Sequence, residues 1–136
     1  MRPDLENTIL SRWPKWFDVE GDVKNGFMRY GFQCGDGWFE IICSLCERLE
    51  PLVNCLNVTQ QEQFRVLQAK QKLGGLRFYV SQRTPAIELE IGCACEETIQ
   101  TCENCGRLGA PQTVDGLLIT LCVNCHDQLQ VKEPNL

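Results

Sequence analysis

The chain has 136 residues, 13 Lys and Arg against 18 Asp and Glu, a formal charge of −5 and 43% hydrophobic residues. That length suits one domain over 1–136, the apolar content excludes a disordered tail, and no apolar run approaches the roughly 20 residues a membrane-spanning helix needs. Met1 to Asn7 carry acids where a secretory signal has its positive and apolar regions, so the expected compartment is a cytoplasm, where the ten cysteines are not read as disulfides.

Leu5, Ile9, Leu10, Trp13, Trp16 and Phe17 fall at helical spacing until Pro14 interferes, which predicts a helix and then a packed aromatic turn within residues 1–25. Glycines 21, 26, 31, 35 and 37 mark connecting turns. Trp38, Ile42, Leu45, Leu49 and Leu52 predict a helix over 37–50, with Asp36 as its cap and Pro51 opposing its continuation. From Phe64 the period changes to two, and Gly74-Gly75 tolerates the positive φ angles of a two-residue hairpin loop. Taken literally, that loop pairs Leu73 with Leu76, Gln71 with Phe78 and Ala69 with Val80. It sorts an apolar face from a basic one bearing Lys70, Lys72, Arg77 and Tyr79. Thr84-Pro85 then opens a helix to about residue 101, Leu117 to Leu121 reads as a strand, and Val123 to Gln130 as a final helical turn or two.

Chemistry concentrates near the end of the chain. Cys102-x2-Cys105 and, after sixteen intervening residues, Cys122-x2-Cys125 are two CxxC pairs at zinc-ribbon spacing. Each puts two thiolates on one tight turn, and two such turns make the tetrahedral S4 cage that zinc prefers, over residues 101–128. With no open coordination position, a single zinc there is structural and folds a segment poor in large apolar residues. His126 adjoins Cys125 and is an alternative fourth ligand. Cys34, Cys43, Cys46, Cys55, Cys93 and Cys95 read chiefly as small buried hydrophobes, with a second metal site or a redox pair as the alternatives for Cys34, Cys43, Cys46 and Cys55.

The distribution of charge bears on partners. Segments 1–60, 61–85 and 86–136 sum to −3, +4 and −6. An acidic chain with one basic island is a poor nonspecific nucleic-acid binder, since that affinity comes from many cations on phosphates. In the expected register Lys72 faces Arg77 and Lys70 lies beside Tyr79. Like charges opposed across a strand pair are destabilising, so a partner offering carboxylates or phosphates is one explanation; neutralisation by the chain's own Glu88 or Glu90 is the other.

Catalysis is not expected, and no catalytic residue is assigned. The ending Cys122-Val123-Asn124-Cys125-His126 after Cys102-x2-Cys105 resembles the zinc frame of HNH-type endonucleases. Those enzymes need a histidine between the CxxC pairs, and residues 106–121 contain none. Gly35-Asp36-Gly37-Trp38, Leu45-Cys46-Glu47, Leu73-Gly74-Gly75-Leu76-Arg77-Phe78-Tyr79, Thr101-Cys102-Glu103-x-Cys105-Gly106-x2-Gly109 and Thr120-Leu121-Cys122 together resemble a family of small, uncharacterised bacteriophage and prophage zinc-ribbon proteins, over roughly residues 26–128. The resemblance implies phage origin, a bacterial host cytoplasm and a structural zinc on Cys102, Cys105, Cys122 and Cys125.

The expectation is therefore an α+β fold: a small antiparallel sheet built on the central hairpin, extended by a third strand, packed on two or three helices, with a C-terminal zinc ribbon. The expected function is non-catalytic binding of a host protein or nucleoprotein complex through Lys70, Lys72, Arg77 and Tyr79, inhibiting a bacterial defence system. The acidic ribbon, imitating nucleic acid, is a second possible surface. The alternative is a nucleic-acid-binding regulator that uses ribbon and hairpin.

Overall fold

In chain order, the computed structural model, which describes residues 1–17 and 28–131, runs α1 (Pro3–Arg12), α2 (Phe39–Asn54), α3 (Val58–Gln63), β1 (Val66–Lys72), β2 (Gly75–Val80), α4 (Pro85–Thr98), β3 (Ala110–Val114), β4 (Leu117–Leu121) and α5 (Val123–Val131). The expected turns at Gly21 and Gly26 lie outside the described residues. The architecture is α+β, with β1–β2 and β3–β4 forming two separate two-stranded antiparallel sheets. The expected third strand beside the first hairpin shrinks to one residue. Gln33 N–H donates to the Ala69 carbonyl at 2.9 Å, and Gln71 N–H donates to that of Gln33 at 2.9 Å.

Pro3 sits in the first turn of α1, where its missing N–H costs nothing, and Ile9 anchors the helix in the core. The aromatic turn follows as the sequence predicts. Trp13 stacks on Trp16 at 6.1 Å, Trp16 meets Phe64 edge-on at 5.0 Å, and the Trp16 carbonyl accepts Val66 N–H at 2.8 Å, tying the turn to the start of β1.

α2 departs from expectation at both ends. Asp36 does not cap it; residues 36–38 form a 3-10 turn, and the Asp36 carboxylate instead accepts the Arg2 N–H at 2.7 Å. Pro51 does not end it either. The apolar stripe through Ile42, Leu45 and Leu49 continues to buried Val53, while Pro51 faces solvent, where the carbonyl it leaves unpaired can be hydrated. α3, absent from the sequence reading, is a single short helix held by an Asn57–Gln60 capping box. α4 starts as expected, with Thr84 accepting Ile87 N–H at 3.2 Å.

The hairpin turn is centred one residue earlier than its glycines suggest. Leu73 (φ 56°) and Gly74 (φ 83°) occupy the loop, so Lys72 pairs with Gly75, Gln71 with Leu76, Lys70 with Arg77, Ala69 with Phe78 and Gln68 with Tyr79. Gly75 sits in the strand, where a side chain would be crowded. A Cβ there would lie 3.1 Å from Ile99 Cγ2, at the end of α4. The facing pairs change but the two faces survive, because the slip preserves parity, and an irregularity between Val66 and Gln68 turns Val66 onto the apolar face.

Buried side chains form two groups. The larger unites Trp38, Ile42, Leu45 and Leu49 with Phe64, Leu76, Phe78 and Ile87 beneath the first hairpin. The smaller holds Cys102, Leu121, Cys122 and Cys125, with Val114 and Ile119 at its margin. Three of its four buried members are cysteines, so the C-terminal unit has almost no hydrocarbon core.

Candidate metal centre and basic hairpin

The first cysteine pair sits on a tight knuckle. Cys102 N–H donates to the Arg107 carbonyl at 2.7 Å, Gly106 N–H returns to the Cys102 carbonyl at 2.9 Å, and Gly106 makes the bend at φ 84°. The second pair sits where β4 meets α5. Cys122 directly precedes the helix and Cys125 lies in its first turn, with Cys125 N–H pointing at Cys122 Sγ at 3.4 Å. The four Sγ atoms lie within 4.8 Å of one another.

Cys105 Sγ and Cys122 Sγ are 3.6 Å apart, far beyond a disulfide's roughly 2.05 Å and close to the ~3.8 Å edge of a tetrahedron with about 2.3 Å metal–sulfur bonds. The Cys125 N–H brings Cys122 down to about 7. Asn104 Nδ2, donating to Cys125 Sγ at 3.2 Å, lowers Cys125, but burial and the thiols of Cys122, Cys102 and Cys105 outweigh it and push Cys125 up to about 12. These thiols therefore cannot all ionise against one another. A cation among them lets them do so, and four sulfurs in this arrangement can hold one metal ion.

Among the described residues this is the only such group of His, Cys, Asp or Glu, and His126 is not a member of it. Nor do Cys34, Cys43, Cys46 and Cys55 gather into a second site. Burial pushes Cys34 up to about 12 and raises Cys43 and Cys46 as well, which suits small hydrophobes and not a reactive pair, whereas Cys55 and Cys93, expected to be buried too, are exposed and Cys95 is half-buried.

The knuckle is clasped by the turn before α2, a contact the sequence reading missed. Gly37 N–H donates to the Glu103 carbonyl at 2.7 Å, Gly35 N–H to Glu103 Oε2 at 2.9 Å, and Trp38 Nε1–H to the Thr101 carbonyl at 2.8 Å. A Cβ on Gly37 would meet the backbone of Cys102, Glu103 and Gly106. Gly35-x-Gly37-Trp38 carried the signal: two glycines so close before a buried tryptophan allow backbone to meet backbone. Glu103 Oε1 is buried without a hydrogen-bond partner among the described residues, and burial raises this carboxyl.

A second clasp holds the first hairpin's tip. Thr120 on β4 donates its hydroxyl to the Gly74 carbonyl at 2.6 Å, and Thr98 on α4 accepts Leu76 N–H at 3.0 Å. Both threonines are fully buried.

The expected facing of Lys72 and Arg77 is overturned: Arg77 faces Lys70, and Lys72 faces Gly75 at the loop. The opposed like charges thus remain, with a different lysine. Tyr79 stands on the same face, 45% exposed and diagonal to Lys70. Among the described residues, Lys70, Lys72 and Arg77 make no ion pair. Glu90 and Glu88, the two acids named as able to neutralise them, are paired elsewhere, Glu90 with Arg48 at 2.7 Å and Glu88 with Arg83 at 3.8 Å.

No helix among the described residues is long and apolar enough to cross a membrane. The chain matches no protein-family model, no curated protein and no solved structure.

Proposed function

We propose that the chain is a non-catalytic zinc protein of phage origin that acts in the bacterial cytoplasm by binding a host protein or nucleoprotein complex, and that it blunts a defence system by doing so. The uncompensated cation row carries this reading. Lys70 and Arg77 oppose each other beside Lys72, while Glu88 and Glu90 on α4 are paired with Arg83 and Arg48. Opposed like charges cost about 0.2–1 kcal/mol, and a partner's carboxylates or phosphates would offset that cost.

Zinc supports the reading mechanically. Soft S4 donation at tetrahedral spacing suits a closed-shell ion, and full coordination by protein leaves it no substrate position. Its part is to hold β4, and with it Thr120, against the hairpin's tip. The sequence resemblance to phage zinc-ribbon proteins supports the origin.

Two measurements test this. Untagged protein should carry one zinc per chain and, in strong chelator, lose the fold of its ribbon, residues 101–128. Tagged protein incubated with nuclease-treated bacterial lysate should retain a discrete protein partner that the Lys70→Glu/Arg77→Glu variant does not. Exposed Tyr79 beside the cations favours the second reading, a nucleic-acid-binding regulator. That reading requires affinity for short DNA or RNA that falls steeply between two salt concentrations and is lost in Lys72→Ala or Arg77→Ala.

A further inference from the structure

Leu73 is an odd residue for its place. The two-residue loop it shares with Gly74 needs positive φ at both positions, which favours Asn-Gly or Asp-Gly; a γ-branched leucine at φ 56° is strained there. Packing does not account for the choice, since Leu73 is 65% exposed and outside both buried groups. Exposed apolar side chains lie close by. A Cβ on the adjoining Gly74 would lie 3.2 Å from the buried Thr120 hydroxyl but also 3.6 Å from Leu118 and 3.7 Å from Pro111, and one on Gly75 would lie 3.1 Å from Ile99 and 3.3 Å from the Arg77 guanidinium. Leu118, Pro111 and Ile99 are all exposed. The tip is thus an apolar knob seated on the ribbon, with unpaired Lys72 next to it and the facing Lys70 and Arg77 two residues beyond the Lys72–Gly75 pair.

We propose that this tip is the contact centre for an acidic, leucine-bearing segment of a partner protein, with Leu73 as the anchor and Lys70, Lys72 and Arg77 as the surrounding cations. The inference rests on the protein-binding reading above and names the chemistry of its partner. Charge complementarity selects an acidic partner, and the apolar knob selects protein over nucleic acid. Bases stack on aromatic rings, whereas a branched aliphatic side chain at the centre fills a hydrocarbon pocket. Three cations on a chain of charge −5 are also few for a phosphate backbone.

The test uses the zinc-loaded full chain, three probes and two variants. The probes are a labelled glutamate-rich 12-residue peptide with leucine at every fourth position, the same peptide with alanine for leucine, and a 12-nucleotide DNA, single-stranded and duplex. Wild type should prefer the leucine peptide to the alanine peptide at least tenfold. Leu73→Asn should erase that preference while raising the melting temperature by about 3 °C, because asparagine suits the loop. Lys70→Glu/Arg77→Glu should weaken both peptides at least tenfold.

If Leu73→Asn melts at or below the wild-type temperature, the leucine serves the fold and the proposal is overturned. It is overturned too if wild type binds neither peptide, or binds both equally. In that last case, sensitivity to Lys70→Glu/Arg77→Glu would leave the basic hairpin standing as a protein-binding surface. DNA bound more tightly than either peptide would defeat the protein-binding reading itself.

Discussion

Replacing Gly37 with alanine asks whether the metal knuckle and the main core are one structure. The added Cβ would sit 2.6 Å from Gly106 N and 2.7 Å from the carbonyl carbon of Glu103, and closer still to the Cys102 carbonyl oxygen. All are backbone atoms, so no rotamer change relieves the overlap; the knuckle must move. Overpacking of this kind costs about 1–3 kcal/mol. Moving the knuckle also breaks the Gly37 N–H bond to Glu103 and the Trp38 indole bond to Thr101, each worth about 0.5–1.5 kcal/mol net. Gly37→Ala should therefore lose about 2–6 kcal/mol in urea titrations followed by tryptophan fluorescence with zinc in excess, and should give up zinc to a competing chelator sooner than wild type. Gly92→Ala is the control. Gly92 lies inside α4, a Cβ there meets nothing within 4 Å, and the helix should gain about 0.5–1 kcal/mol. A Gly37→Ala protein within about 0.5 kcal/mol of wild type, with unchanged zinc retention, would refute the clasp.

Thr120→Val keeps the shape of the buried side chain but leaves the Gly74 carbonyl without its donor, so it should cost about 1–3 kcal/mol by the same urea titration. Lys70→Glu converts the opposed cations into an opposite-charge pair with Arg77 and should stabilise the chain by about 0.2–1 kcal/mol, a gain that shrinks as salt is added. Cys34 predicts the alkaline limb of stability. Burial, with the nearby Glu103 charge, lifts its pKa from 9.0 to about 12, so the folded state keeps its proton where the unfolded chain loses it. Stability linked to this thiol is whole below pH 9 and falls as pH rises toward 12, by about 4 kcal/mol at most. Cys34→Ala should flatten that limb in pH-dependent melting curves.

The elements that rest on local rules were legible in the sequence. Thr84-Pro85 marks a helix start because a hydroxyl cap and a first-turn proline act within one turn, and two CxxC pairs imply close sulfurs because each tight turn fixes its own geometry. What failed depended on distant groups. The hairpin was centred on Gly74-Gly75 because glycine usually marks positive φ. Yet Gly75 is spent on clearance for Ile99, 24 residues away, and a leucine takes the strained position. Pro51 was expected to end α2 because local rules penalise it, and burial of Val53, two residues on, overrode them. Asp36 was expected to cap the same helix and is taken by the backbone of Arg2. At the site itself the four sulfurs could be read from spacing. Gly35 and Gly37 signalled a close backbone approach before Trp38, but its partner could not be read, because nothing nearby in sequence says which backbone those glycines admit.

The two clasps make the metal centre more than an anchor for the end of the chain. Cys102 and Cys105 flank the Glu103 carbonyl held by Gly37, and Cys122 follows within two residues of Thr120, whose hydroxyl holds the turn of the first hairpin. The ribbon's second hairpin has little hydrocarbon of its own, so the register of β3 on β4, and hence the position of Thr120, depends on closure of the sulfur cage. The cations sit on strands whose far ends are fixed by Trp16 and Arg65 and whose near end is fixed by Thr98 and Thr120. Opening the cage releases only the Thr120 side of that near end. The hairpin then keeps its core face but loses the seat of its tip, so an ion held in the cage would act on the basic surface through position and leave its charge unchanged.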